Sequence, residues 1–522
     1  MAFALTAAQR NIWLDQMTQG DSPLYNIGGY MEIDGAVDSV LFQQAVDLLI
    51  EEHDALRMVL LDERDEEGLP LQAFASSMPQ CMTPIDLQGH DDPRQAAEHW
   101  VQTRLEKAFR LEGGPLYRMH LLKLEEQRFY FVFYTHHIVL DGWSIDGVCT
   151  YLSEIYNALL NQRTPDVAAP SYVDFIKDDL KYRGSRRFSL DQAYWLDKYR
   201  EIPDPLLTAR PRQVSIQNQT AHSRSGHISS GLDRGLEQQI DDLALRLQAS
   251  SFHVLLAVLY VYFTRVYQRD ELVIGLPILN RSNAGYKKTL GLFTQLSSVR
   301  LKFSPDLPFA ELVQGICRAV KQDYRHQRFP VSDLNRLLEL RRTERTQLFD
   351  LTFSYERQNL PLHFNQAAAS TTKCSNNHEQ TPLAIYLRTN ACETESWMHY
   401  IYNEAFFQHD EIVLLAERLQ RVMEQGLTNE QLPVNGFSLI SETDTSRVQA
   451  WNADQPHFAD DLTIQQRFEA RATERPDAVA LMFEEQTLSY GELNARANQV
   501  AHRLLALGVL PDDRVAICVE RG

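Results

Sequence analysis

The most strongly patterned stretch of the chain is FYFVFYT at residues 129–135, an almost unbroken aromatic and β-branched run. With no polar alternation, it predicts a strand buried on both faces. Amphipathic helices, as at residues 40–52, and aromatic-rich strands fill the rest of the first 175 positions. A similar style returns from about 190 to 440, where a long apolar helix at 251–267 leads into a strand at 272–276. Its most apolar part is interrupted or ended by His253, Thr264 and Arg265, and its length predicts a buried core helix, not a membrane span. The polar, glycine-bearing segment 181–187 reads as a connector, and a second polar junction with a proline lies at 442–461. Residues 462–522 then open a new pattern of helix, strand-like AVALMF, turn and helix. That segment is too short for a complete catalytic domain and reads as the front of a neighbouring one. The expected organisation is therefore 1–180, 181–441, a linker at 442–461, and 462–522.

A length of 522 residues predicts about two to four folding units, and 44% apolar residues supply the cores that a disordered chain would lack. A net charge of -19 disfavours nonspecific binding to nucleic acid or anionic membranes, which needs positive potential. Cys81, Cys149, Cys317, Cys374, Cys392 and Cys518 are scattered without a CxxC pair, so neither a disulfide framework nor a zinc site is expected. That usage fits a reducing cytoplasm, and the N-terminal residues lack the basic and apolar regions of a signal peptide.

Chemistry concentrates where the apolar run ends, at His136-His137-Ile138-Val139-Leu140-Asp141-Gly142-Trp143-Ser144. A helical pattern follows to about Leu160, with Ser144 or Asp146 placed to cap it. Side chains alternate along a strand, so one histidine faces a cavity while its neighbour packs inward. Asp141 can hold the loop if it meets a cation, and the glycine after it allows a sharp bend. A lone histidine here would read as a packed core residue. The coincidence of HHxxxDG with a buried strand shifts the reading to a reactive loop.

The sequence resembles the condensation-domain family of nonribosomal peptide synthetases, whose HHxxxDGWS core residues 136–144 match without departure. Residues 5–13 look like the family's first signature, 53–57 its second, 172–175 its fourth, 290–293 the opening of its fifth, 326–330 its sixth and 345–349 its seventh. Residues 488–493, LSYGEL, look like the first signature of adenylation domains, which follow condensation domains in these assembly lines.

The resemblance implies an α/β fold of two chloramphenicol-acetyltransferase-like lobes in a V, followed by a truncated adenylation segment. It implies an acyltransferase that joins an acyl thioester to the amine of an aminoacyl thioester. The domain would bind no cofactor of its own, because carrier proteins deliver both substrates on phosphopantetheine arms. His137 is the expected catalytic residue, either accepting the amine's proton or orienting the amine. His136 would be structural, and Asp141 would pair with Arg57 of the second signature to brace the loop. Gly142 would let the backbone approach the substrate arm, with Ser144 and Trp143 supporting, Trp143 equally readable as core packing.

Departures fall in the later signatures. Thr294-Gln295-Leu296 replace Val-Asn-Thr, Arg328 replaces an acidic residue, Val331-Ser332 follow Pro330, and Gln347 stands for a proline. Together with a signature set that begins at the N-terminus, they suggest a starter domain acylating the first amino acid with a fatty acyl group. The donor would come from coenzyme A or from a carrier protein in trans, and the acceptor from the peptidyl carrier protein of the same synthetase. Such a donor implies a dry, apolar pocket beyond His137. The alternative is an internal condensation domain fed a peptidyl donor in trans. Epimerization, heterocyclization and non-catalytic recruitment fit less well, because the motif order and both histidines speak against them. Nucleic-acid and membrane partners are not expected.

Overall fold

The computed structural model describes residues 1–78, 80, 82–166, 168–208, 224–343, 345–358, 362–390, 396–453 and 462–519. The chain divides into two compact units, Met1–Ser441 and Glu442–Gly522.

Two six-stranded sheets carry the larger unit. The first holds β1 (Asn26–Ile33), β4 (Ile85–Asp86), β5 (Tyr117–Glu125), β6 (Arg128–His136), β11 (Leu362–Phe364) and β12 (Ala367–Lys373), in the order β11-β12-β1-β6-β5-β4. The second holds β7 (Ser225–Leu232), β8 (Glu271–Ile278), β9 (Gln295–Lys302), β10 (Leu351–Gln358), β13 (Leu383–Asn390) and β14 (Ser396–Asn403), in the order β7-β14-β13-β10-β8-β9. A separate hairpin joins β2 (Met58–Arg64) to β3 (Pro70–Phe74). The sheets do not divide at 180/181 alone, because β11 and β12, from the later part of the chain, cross to the first sheet. Gly29 on β1 lets β12 come close, and Gly28 does the same for β6 on the other side. A Cβ at Gly28 would lie 2.3 Å from the Phe133 carbonyl oxygen, and one at Gly29 only 1.9 Å from that of Thr372.

The apolar run at 129–135 is β6, and its two faces explain the missing alternation. Phe129, Phe131 and Phe133 pack into a core with Met31, Ile33, Phe42 and Leu152. Tyr130, Val132 and Tyr134 pack on the other side with Ala97, Val101 and Leu105 of the helix Pro93–Leu105. The apolar helix expected at 251–267 is Ser251–Tyr267, with residues 254–264 buried against the second sheet's strands. Among the described residues, no single helix is long and apolar enough to cross a membrane. The four described cysteines are free, while Cys81 and Cys392 lie outside the described residues.

In the smaller unit, the start of the expected linker forms a helix, Glu442–Ala453, and residues 454–461 lie outside the described set. The helix Ile464–Glu474 follows, then the hairpin β15 (Val479–Phe483) and β16 (Gln486–Ser489), then the helix Tyr490–Ala506. Ser489 and Glu492 of the LSYGEL segment form that helix's capping box.

One buried ion pair fastens the two sheets' connections together at the end of β6. Asp141 caps the helix Gly142–Leu160 by accepting from the Ser144 amide at 2.9 Å. The cap is thus Asp141, not Ser144 or Asp146, since a residue inside the first turn cannot cap its own helix. Arg281, on the connection between β8 and β9, donates to both Asp141 oxygens at 2.9 and 3.1 Å. The amides of Phe293 and Thr294 and the Thr294 hydroxyl complete the shell of Asp141 Oδ2 at 3.0–3.1 Å. Neither side chain is more than 1% exposed. Burial works to raise the Asp141 pKa, but Arg281 and the amide donors outweigh it and hold the carboxyl below its ordinary value.

This corrects the expected pairing of Asp141 with Arg57. Arg57 instead joins its turn to the end of β3, donating to the Ile50 and Ala75 carbonyls and pairing with Asp54 at 3.2 Å. The arginine of the second signature is thus satisfied by Ile50, Ala75 and Asp54 before it can reach the loop.

Asp141→Ala should cost about 3–5 kcal/mol, because it strands a buried guanidinium. Adding Arg281→Met should recover part of that loss, whereas adding Arg57→Met should not. Denaturant unfolding of the single and double variants measures both, and an Asp141→Ala protein as stable as the parent removes the clamp.

Candidate active-site loop

The strand's alternation sends the two histidines into different surroundings. His136, the last residue of β6, is buried, with the Tyr25 and Phe109 rings 5.9 and 6.4 Å away. The Ile138 amide donates to its Nδ1 at 3.2 Å, and its Nε2 faces Gln16 Oε1 at 3.3 Å. The Gln16 amide nitrogen donates to the Gly20 and Ser22 carbonyls, so its oxygen is turned to the ring. The proton of His136 is thereby placed on Nε2. Desolvation, helped by neighbouring His137, lowers its pKa to about 3, so the ring is neutral at working pH.

His137 has the opposite tautomer. Its peptide N–H donates to the Tyr25 carbonyl at 2.7 Å, and its Nδ1 lies 2.8 Å from the Leu140 carbonyl oxygen. A carbonyl only accepts, so Nδ1 carries the proton and Nε2 of the neutral ring keeps its lone pair. The ring is half-buried, in contrast to the sealed His136. The arrangement offers one oriented imidazole acceptor on a loop whose next four residues end in the Asp141 clamp.

The remaining loop residues divide by role. Ser144 is buried, donates to the Gly291 carbonyl at 2.7 Å, and accepts from the Gly291 amide at 3.0 Å and from Arg281 at 2.7 Å. Trp143 is not core packing. It is 43% exposed, and its indole N–H donates to the Lys287 carbonyl at 3.0 Å. Gly142 opens the helix with space beside it, and a Cβ there would meet only Lys373 Nζ, at 4.0 Å. No bend requires that glycine.

Several signatures converge on this loop. Gln9 of the first donates to the Ile138 carbonyl at 3.3 Å. Tyr172 of the fourth donates to the Leu292 carbonyl of the fifth at 2.8 Å, and a Cβ at Gly291 would lie 2.2 Å from the Tyr172 ring. The substituted residues have structural roles. Gln295 donates to the Gln327 carbonyl, while Arg328 pairs with Asp178 at 3.0 Å and lies 4.3 Å over the Tyr182 ring. Sequence reasoning missed Arg281, which follows β8 in a polar loop with no periodicity to mark it. It also missed Gln16, Lys373, Glu356 and Arg388, which come from elements distant in the chain.

A family model described as Condensation domain matches residues 2–448, and one described as AMP-binding enzyme matches residues 468–522. Surfactin synthase subunit 1 of Bacillus subtilis is 25% identical over 99% of this chain and 14% of its own length. Tyrocidine synthase 3 of Brevibacillus parabrevis is 26% identical over 99% of this chain and 8% of its own. The chain thus spans only a small part of these relatives. Among solved structures, a variant starter condensation domain of rhizomide synthetase in complex with C8-CoA superposes with a TM-score of 0.74 at 24% identity, covering 84% of this chain and 98% of that one. The first condensation domain of the calcium-dependent antibiotic synthetase, in complex with a substrate analogue, gives a TM-score of 0.73 at 24% identity, covering 84% and 99%. With the signatures gathered around one histidine loop and the family match spanning residues 2–448, the chain belongs to the condensation domains of nonribosomal peptide synthetases, enzymes that form amide bonds, and continues into the start of an adenylation segment.

Proposed function

We propose that this unit transfers an acyl group from a thioester donor to the amine of an aminoacyl thioester held on a carrier protein. The observation that carries the reading is the lone pair on His137 Nε2, set by the Leu140 carbonyl on the other ring nitrogen. A thioester is already activated, so the domain's task is chiefly to bring amine and carbonyl together in the right orientation. His137 accepts a hydrogen bond from the amine and takes its proton as the C–N bond forms and the thiolate leaves. The nearby carboxylate, Asp141, is committed to Arg281 and three donors from residues 293 and 294, so it cannot support an imidazolium as a triad aspartate does. Orientation of the amine thus carries more of the rate than strong base catalysis.

The donor in this proposal is an acyl thioester of a starter reaction, held on coenzyme A or on a carrier in trans, and the product is an N-acylated first amino acid. The altered fifth and sixth signatures support that subtype. The fold is also one in which a starter domain has been solved with C8-CoA. Substrates would arrive on phosphopantetheine or coenzyme A, and the acceptor carrier would belong to the same synthetase as the adenylation segment.

His137→Ala should slow amide formation by about 10²-fold or more while leaving the melting temperature unchanged. Single-turnover transfer to an aminoacyl carrier, followed by intact-mass analysis, measures it. A folded variant that condenses at the parent rate removes His137 from the chemistry. With the parent protein, transfer from a peptidyl carrier but from no acyl-coenzyme A would end the starter reading and leave condensation standing.

A further inference from the structure

The segment 374–382, which joins β12 of the first sheet to β13 of the second, carries a buried asparagine, Asn376. Its side-chain nitrogen donates to the carbonyls of Pro23, Leu24 and Asn26 at 3.0, 2.8 and 3.0 Å. An amide nitrogen has two hydrogens, so the three acceptors share them. The other end of the amide is fixed too, because its Oδ1 accepts from the His378 N–H at 2.8 Å. Further along the same segment, Gln380 donates to Asp15 Oδ1 at 3.1 Å, and Asp15 Oδ2 accepts from the Tyr25 hydroxyl at 2.7 Å. Burial, with Asp15 beside it, pushes the Tyr25 pKa well above its ordinary value, so the phenol remains a donor.

Asn376 takes the carbonyls on either side of Tyr25 and leaves the Tyr25 carbonyl for the reactive loop, where it accepts the His137 N–H at 2.7 Å. A peptide group turns as one rigid plane. The plane that carries the Tyr25 carbonyl also carries the Asn26 N–H, which donates to the Pro23 carbonyl at 2.8 Å. That Pro23 carbonyl is itself held by Asn376. The plane is therefore pinned at one end by Asn376 and meets His137 at the other. The Asp141–Arg281 pair holds the loop from its far end, and the 23–26 turn holds it at the histidine itself. An orientation-dependent reaction is sensitive to this second anchor, since a displacement of about 1 Å can cost about 10²-fold in rate.

We propose that Asn376 is a positioning residue for amide formation: by holding the 23–26 turn it keeps the Tyr25 carbonyl on the His137 N–H, and it acts on the reaction through that histidine. This rests on the condensation reading above and on His137 as the acceptor of the amine's proton. Gln380 and Asp15 steady the same turn from the ring end of Tyr25, a side chain's length from the carbonyl that matters.

The test follows amide formation on an aminoacyl carrier, from octanoyl-CoA and from a dipeptidyl thioester, by the full chain and its Asn376→Ala, His137→Ala and doubly substituted forms. Asn376→Ala should lower kcat by about 10-fold or more and change KM for the aminoacyl carrier by less than about 2-fold, because orientation is lost and binding is not. In the His137→Ala background the same substitution should cost less than about 2-fold, since the group it positions is gone. A general loss of structure would instead lower both backgrounds alike. Asn376→Gln keeps an amide donor on a longer side chain and should lose less than Asn376→Ala. It takes the place of alanine in the same cycle if the alanine form does not fold. A parental kcat in the folded variant, or an equal loss in both backgrounds, overturns this inference and leaves condensation standing. A parental rate in His137→Ala removes that histidine from the chemistry, and no amide from either donor with the parent chain overturns the condensation reading. Each of those two results takes this inference with it.

Discussion

The reactive loop is placed by the ion pair between Asp141 and Arg281. Burying two charges is costly, and hydrogen bonds to the remaining donors and acceptors offset that cost, which Arg281 achieves for all but its Nε. Here Arg281 also donates to the Tyr286 and Thr289 carbonyls, at 2.6 Å each, and its guanidinium lies 4.0 Å from the Phe293 ring centre. Asp141 is at once a helix cap, an ion-pair partner and an acceptor for two amides of the β8–β9 connection. Position, more than net stability, is what this arrangement supplies. The end of β6 cannot shift without moving the segment that enters β9.

Downstream of that constraint, the two histidines show how neighbouring identical residues acquire different chemistry. Both stand at the end of the same buried strand, and their partners impose opposite tautomers. His136 accepts at Nδ1 from the backbone two residues on and is sealed under Tyr25 and Phe109. His137 donates at Nδ1 and leaves Nε2 free of those partners. A single carbonyl, that of Leu140, therefore decides which nitrogen can meet a substrate amine. The loop that presents this carbonyl is held by the Asp141 clamp one residue later.

Much of the frame was legible because its signals are local. The run at 129–135 marks a strand covered on both faces, and the apolar run in 251–267 marks a helix buried over residues 254–264. LSYGEL places a capping box at a helix start. The helix after the histidine loop ends at Leu160 as its pattern implies, though Asp141 caps it. The partners of the loop were less legible, since a contact between residues 140 positions apart leaves no periodic trace. The family resemblance implies Arg57, in the second signature, as the partner of Asp141. Arg281 takes that place because Asp54 and the Ile50 and Ala75 carbonyls claim Arg57. Strand crossing hid more: β12 carries Lys373 from the later chain into the first sheet, where no spacing argument would put it.

The departures from the family pattern and the charged cluster occupy different places, and that separates their meanings. Thr294 spends its amide and hydroxyl on Asp141, Gln295 ties down the Gln327 carbonyl, and Arg328 is matched by Asp178. Each is absorbed into packing around the clamp or the Tyr172–Arg183 helix. Lys373, Glu356 and Arg388 belong to no signature and pair with one another, with Lys373 Nζ 4.0 Å from where a Gly142 Cβ would stand. Residues already committed to one another can mark a lineage without touching a substrate. The cluster joins strands of both sheets to the helix that follows the reactive loop, so what it holds is their mutual position.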